Sequence, residues 1–212
     1  MNIGIIGSGV VGQVLAKGFA KEGHSVTLGT RNIAKEELVK FSKENSTISI
    51  GTFTDTSKFG DLIVLATNGE ATEEAIKLAG IPNFRNKVVI DTTNPIAKTA
   101  PVNGVLQFFT GPNESLMERI QQLLPEAKVV KAFNCVGNAY MYKPSFPGGT
   151  PTMFIAGNND EAKKLVTDIL TVFGWETEDM GKAEAARAIE PLCMLWCIPG
   201  FIRNKWNHAF KL

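Results

Sequence analysis

Hydrophobic and polar positions along the chain alternate between two periods. Asn2-Ile3-Gly4-Ile5-Ile6 is a short apolar run with the character of a buried strand. Residues 11–22 then place Val11, Val14, Leu15, Gly18 and Phe19 on one face of a helix. Ser25-Val26-Thr27-Leu28 returns to strand character and ends at Gly29-Thr30-Arg31. Beyond it the pattern predicts a helix over 34–44 with Leu38 and Phe41 on its apolar face, and a short strand at 48–50. A polar connection over 52–59 carries a short helix. Strands follow at 62–66, 87–91, 128–133, 152–157 and 175–180, with helices at 70–78, 115–123, 161–172 and 183–196. Pro199-Gly200 is expected to end the last helix, leaving 201–212 as a basic, aromatic tail. The stretches 96–113 and 140–149 are rich in Gly and Pro, and both read as loops.

Strands alternating with helices indicate an α/β chain built on a mostly parallel, doubly wound sheet. The junction between the first strand and the first helix adds chemistry to that outline. Gly7-Ser8-Gly9-Val10-Val11-Gly12 follows the strand with no spacer and opens the helix, the context in which this glycine pattern signals a dinucleotide. Gly7 permits the tight turn, Gly9 lets a pyrophosphate approach the backbone, and Gly12 lets the helix lie close on the sheet. The segment 7–12, with Ser8, Val10 and Val11 between the glycines, is the expected cradle. The unpaired amides of the first helical turn face the phosphate, and the helix dipole favours its charge. The fold this implies is of Rossmann type. Residues 1–181 read as the nucleotide-binding domain with additional strands at its end. Residues 182–212 read as a small helical extension that packs on that domain or on a dimer partner.

The end of the second strand separates the two nicotinamide dinucleotides. A carboxylate there accepts the ribose hydroxyls of NAD and repels a 2′-phosphate. This chain has Thr30 and Arg31, with Lys35 one helical turn further on. A hydroxyl, a guanidinium fork and an ammonium suit a 2′-phosphate, so NADP(H) is the expected cofactor. Glu36 and Glu37 lie further along and read as first-turn residues complementing the dipole of the next helix.

Composition narrows the remaining classes. The 22 Lys and Arg against 21 Asp and Glu give a net charge of +1 with no basic block, which argues against a nucleic-acid partner. Residues 191–202 are the longest late apolar stretch, about twelve residues where a membrane span needs about twenty, so a core or interface helix is expected and no membrane partner. Met1-Asn2 leads directly into a strand without a basic leader, and the expected location is the cytoplasm. Cys135, Cys193 and Cys197 then read as reduced thiols. Cys193 and Cys197 share a helical face, but with only His24 and His208 in the chain they read as small apolar residues and no metal site is expected.

In a doubly wound sheet, ligands gather at the carboxyl ends of the strands. Thr67 and Asn68, after the fourth strand, are therefore placed to touch the cofactor's ribose, and they fit a helix N-cap equally well. Asn94, Asn134 and Asn138 are the candidates for a substrate pocket, since neutral amides hold a carboxamide or a heterocycle without bringing charge. A turn or cap role is the open alternative for each.

Gly7-Ser8-Gly9-Val10-Val11-Gly12, Gly29-Thr30-Arg31-Asn32 and Lys131-Ala132-Phe133-Asn134 resemble the NADPH-dependent coenzyme F420 reductase family. The oxidoreductase domain of the six-transmembrane metalloreductases is similar in the same segments. The resemblance runs from residue 2 to about 180. It implies hydride transfer between NADP(H) and a deazaflavin, coenzyme F420, or a flavin such as FAD or FMN. It also implies Thr30, Arg31 and Lys35 at the 2′-phosphate, Thr67 and Asn68 beside the nicotinamide, and Asn134 with Val136 where two rings stack. A homodimer is implied as well. Hydride transfer of this kind rests on positioning, and no catalytic acid or base is assigned. Two alternatives stand beside it: an NADP-dependent imine reductase resembling pyrroline-carboxylate reductases, and a redox sensor that binds NADP(H) without turnover.

Overall fold

The computed structural model describes residues 1–212. Its eight strands form one sheet in the order β3-β2-β1-β4-β5-β6-β7-β8. These are β1 (Asn2–Ile6), β2 (Ser25–Thr30), β3 (Ile48–Thr52), β4 (Leu62–Leu65), β5 (Val88–Asp91), β6 (Lys128–Lys131), β7 (Thr152–Gly157) and β8 (Glu176–Asp179). Strands β1 to β6 run parallel, β7 turns antiparallel to β6, and β8 runs parallel to β7. The chain travels outward from β1 to β3 and then returns to place β4 on the other side of β1. The crevice at that switch point opens at the carboxyl ends of β1 and β4. This is the Rossmann-type α/β fold that the alternating pattern predicts.

Helices cover both faces. Helices α1 (Val10–Lys21), α2 (Glu36–Glu44) and α6 (Asp160–Val172) bury Leu15, Phe19, Leu38, Phe41 and Leu170 in one core. On the other face α3 (Phe53–Phe59), α4 (Gly69–Ala79), α5 (Leu116–Leu123) and α7 (Ala186–Arg203) bury Phe53, Ile76, Ile120 and Ile189. Being covered twice is why Leu62-Ile63-Val64-Leu65 is a continuous apolar run in which every residue is buried. Phe19 packs on Phe173 with ring centroids 4.8 Å apart. Removing either ring would cost about 3–5 kcal/mol.

Four details depart from the sequence pattern. Helix α2 begins at Glu36, so Lys35 is its N-cap residue and not part of its first turn. Strand β6 ends at Lys131, because Phe133 adopts φ 62° and turns the chain out of the sheet. Within 96–113, the loop folds back on itself through paired bridges, Ile96 with Phe108 and Val102 with Val105.

The fourth departure is at the end of the chain, where α7 runs through Pro199-Gly200 to Arg203. Pro199 leaves an unpaired carbonyl one turn back, at Leu195, which lies on the exposed side where water can take it. Gly200 lets Trp206 lie flat on the helix, since a β-carbon there would sit 2.3 Å from the indole. The helix stops at Asn204, left-handed at φ 52°, with Lys205 N–H donating to Pro199 O at 3.2 Å. The apolar helical run Ala183–Arg203 is thus 21 residues, long and apolar enough to cross a membrane by length and composition alone. Glu190, in the middle of it, is instead buried against β6 and α5 of this chain.

Candidate functional site

The turn between β1 and α1 is shaped by absent side chains. Gly7 has φ 121°, and a β-carbon on it would meet Ala66 O at 2.4 Å. One on Gly12 would lie 1.9 Å from Gly7 O. Gly9 differs from both, because nothing lies within 4 Å of where its β-carbon would be. That open space stands over the N-terminus of α1, which no side chain caps. Val10 beside it is 63% exposed, and Gln13 Nε2 donates to Ser8 O at 3.0 Å and braces the turn. An uncapped helix start under an open glycine suits a pyrophosphate.

At the end of β2, Thr30 is buried and its hydroxyl is shared with the backbone of Asn32 at 3.3 Å. Asn32 Oδ1 accepts from Ala34 N at 2.9 Å. These short-range bonds set the loop, and they leave Thr30 less free than Arg31 to reach a ligand. Arg31 is exposed, and Lys35 pairs only loosely with Glu37 at 3.5 Å.

The carboxyl ends of β4 and β5 enclose a cleft of about 160 Å³ lined by Val11, Thr67, Asn68, Thr93 and Asn94 among others. Asn68 caps α4, its Oδ1 accepting from Glu70 N at 3.1 Å. Thr67 Oγ1 lies 2.9 Å from Thr72 Oγ1. Gly69 lets α4 start against the Asn94 carbonyl, 2.0 Å from where a β-carbon would be. So one wall of the cleft is α4 and the other is the segment after β5.

Asn134 braces that second wall more than it faces the cleft. Its side chain is 3% exposed, and Nδ2 donates to Asn94 Oδ1 at 3.2 Å and to Ile189 O at 3.0 Å. Asn94 Nδ2 in turn donates to Asn134 O at 2.8 Å, while Asn134 Oδ1 has no partner. Val136 is buried. Asn138 lies apart, in a second cleft of about 630 Å³ formed with Gly137, Tyr140, Trp196, Asn204 and Trp206. Trp196 is fixed there by stacking on His208 at 5.0 Å and by donating Nε1–H to His208 O at 2.8 Å. The pattern thus divides the asparagines between two clefts.

Beneath the wall lies a buried charge cluster to which the sequence pattern gave no role. Lys131 Nζ sits 2.7 Å from Asp91 Oδ2 and 2.8 Å from Glu190 Oε1, all three side chains essentially inaccessible. The Asp91 Oδ2 contact is an ion pair. The ammonium also donates to Thr93 O at 2.8 Å. Glu190 accepts from Leu116 N and Met117 N at 3.0 Å each, so α7 supplies a cap for α5. Asp91 Oδ1 holds Thr93 through its N–H at 2.9 Å and its hydroxyl at 2.6 Å. Burial opposes the Lys131 charge, but Asp91 and Glu190 outweigh it and hold its pKa above the ordinary value. The available signal was a charged residue closing each of two apolar strands, with one acid inside an apolar helix.

The thiols are free. Burial pushes Cys135 up to about 12, and Cys197 is lowered by the hydrogen bond it accepts from Cys193. No three His, Cys, Asp or Glu side chains converge as a metal site would require.

Residues 2–95 match the family model described as NADP oxidoreductase, coenzyme F420-dependent. Over 205 residues the chain is 31% identical to the F420-dependent NADP reductase of Methanocaldococcus jannaschii, covering 92% of this chain and 90% of that one. The chain belongs to this family. A crystal structure from Arthrobacter sp. FB24, assigned as an F420-dependent NADP-reductase, superposes with a TM-score of 0.94 at 31% identity, covering 100% of this chain and 99% of the other. Metalloreductase STEAP3 of Rattus norvegicus is 28% identical over 206 residues, which are 93% of this chain but 38% of that protein. An imine reductase from Aspergillus terreus shares the fold at a TM-score of 0.67 and 18% identity, covering 96% of this chain and 63% of that one.

Proposed function

We propose that this member of the F420-dependent NADP oxidoreductase family transfers hydride between NADP(H) and a deazaflavin, coenzyme F420, with FMN or FAD as the second class of acceptor. The observation that carries the reading is identity at 31% along almost the whole of both chains with a reductase named for that acceptor, joined to a glycine turn open for a dinucleotide. The imine reductases are like this chain at the level of fold, and they are longer.

The residues fit an NADP(H) molecule. Gly7, Ser8, Gly9, Val10, Val11 and Gly12 form the pyrophosphate cradle. Arg31 and Lys35 meet the 2′-phosphate, with Thr30 shaping the loop beneath them. Thr67 and Asn68 lie beside the nicotinamide ribose, and Asn94 contributes to the wall of that cleft. When bound, the nicotinamide supplies hydride from its C4. The protein's part is orientation at contact distance and exclusion of water, the main source of rate gain in such a transfer. Asn134 holds Asn94 in place, while Val136 and Asn138 lie toward the acceptor. No side chain is required to move a proton at the transferring carbon.

The chain acts as a homodimer in this reading. Leu195, Phe201, Ile202 and Trp206 stay exposed along α7 and the tail, with Val102 and Val105 also exposed on the folded-back loop. Clustered apolar exposure marks interaction sites, and light scattering at micromolar concentration tests for the dimer. A cytoplasmic location, and no nucleic-acid or membrane partner, complete the proposal.

The test is anaerobic oxidation of NADPH by purified protein with the deazaflavin, FMN and FAD offered separately and NADH in parallel. Rapid, NADPH-selective reduction of the deazaflavin supports the reading. NADPH binding without consumption by any acceptor would favour a sensor, and turnover of a cyclic imine would favour the imine reductase.

A further inference from the structure

We propose that the buried Asp91–Lys131–Glu190 cluster is a positioning device for the wall of the nicotinamide cleft. The cluster is costly to bury. Three ionised side chains out of water carry a desolvation penalty that packed apolar residues would avoid. The arrangement is nevertheless fully built. Strand register sets Asp91 beside Lys131, and Glu190 reaches in from α7 at 2.8 Å. The surplus negative charge is met by the two amides at the start of α5.

The outward bonds of Lys131 and Asp91 end on the segment that lines the cleft, while those of Glu190 tie the cluster to the start of α5. Lys131 holds the Thr93 carbonyl at 2.8 Å, and Asp91 holds the Thr93 amide and hydroxyl at 2.9 and 2.6 Å. Thr93 is thereby fixed at three polar atoms. The next residue, Asn94, is tied to Asn134, whose other hydrogen bond goes to Ile189 O, one residue before Glu190. Thr93 and Asn94 face the cleft directly. The cluster therefore carries the placement of this wall from β5, β6, α5 and α7 at once, and a loss of one member loosens it without removing a group that touches the cofactor. The inference rests on the hydride-transfer reading above for its kinetic readout and on the structure alone for its structural one.

Glu190→Gln and Asp91→Asn are the variants, each close in shape and each removing one charge. Three quantities are measured on both: NADPH affinity by calorimetry, kcat with its isotope effect from NADPH deuterated at the transferred position, and amide hydrogen exchange of residues 92–97. The expected result is affinity held within about threefold, kcat lower by about 10- to 100-fold with a larger isotope effect, and faster exchange at 92–97. A lower melting temperature with kcat, isotope effect and exchange at 92–97 all as in the unmodified protein would overturn the proposal and leave the cluster a structural one. If Glu190→Gln fails to fold, Asp91→Asn decides. If the unmodified protein reduces no acceptor, the hydride-transfer reading fails by itself, and unchanged exchange at 92–97 would then overturn the positioning role separately.

Discussion

The two ends of the crevice are built on opposite principles. At the end proposed for the phosphates, everything from Gly7 to Lys35 lies within or just beyond one strand–helix–strand unit, and the backbone makes the cradle. Glycines at 7 and 12 are required by contacts of 2.4 and 1.9 Å, and Gly9 leaves the helix start open. At the end proposed for the nicotinamide and acceptor, Asp91, Asn94, Lys131, Asn134 and Glu190 come from segments up to about a hundred residues apart, and side chains make the wall. The first end depends on space left empty. The second depends on charges that cannot be separated. Local construction tolerates change in the surrounding fold, whereas the distant construction couples the cleft wall to the packing of α5 and α7.

The sharpest way to break the phosphate end is Gly12→Val. With Gly7 O already at 1.9 Å from a β-carbon, α1 must move off the sheet. The expected loss is about 3–5 kcal/mol of stability, with NADPH binding weakened beyond detection, read by urea unfolding and calorimetry.

The matching experiment at the other end is Lys131→Met, which leaves Asp91 and Glu190 buried without their cation. It is expected to cost about 3–5 kcal/mol. Its pH dependence carries a sign. Because the folded-state pKa of Lys131 is raised above 10.5, its contribution is complete below that ordinary value and is lost as pH rises through the raised one. The stability gap between the unmodified protein and the variant should hold from pH 8 to 10 and narrow above about 10.5. A gap that instead widened with pH up to about 10.5 would mean that Lys131 is uncharged in the fold, and a gap flat through about pH 11 would mean that its pKa is not raised.

Arg31→Ala is the smallest of the three. Losing a charge-assisted contact of about 1.5–3 kcal/mol should weaken NADPH about 10- to 100-fold while NADH changes less than about twofold. Equal loss for both cofactors would remove the 2′-phosphate assignment.

The same contrast explains what was legible in the sequence. Strand, glycine turn, helix and strand within thirty residues declare themselves because each signal is local, and the apolar runs of β4 and β5 mark strands buried on both faces. Asn68 was readable as a cap for the same reason. Lys131 was not readable, because Lys-Val-Val-Lys resembles the polar ends of any strand, and only the register that sets Asp91 beside it reveals the pair. Glu190 stands out only as one acid inside an apolar helix, and its partners appear when α7 is docked on α5 and β6. Pro199-Gly200 misleads in the opposite direction. Local propensity predicts a break there, and packing under Trp206 carries the helix four residues further, to Arg203. Asn134 is expected from the sequence in a substrate pocket, whereas its burial and bonding make it a brace for Asn94.

The central claim is direct transfer of hydride from NADPH to a deazaflavin, and following the label tests it most directly. NADPH carrying deuterium at the transferred position is mixed anaerobically with the protein and the oxidised deazaflavin, and the reduced product is examined by mass spectrometry and NMR. The account predicts one deuterium retained in a carbon–hydrogen bond of the reduced ring, with NADH far slower. Reduced product without the label, or no reduced product while NADPH remains bound and intact, would contradict it.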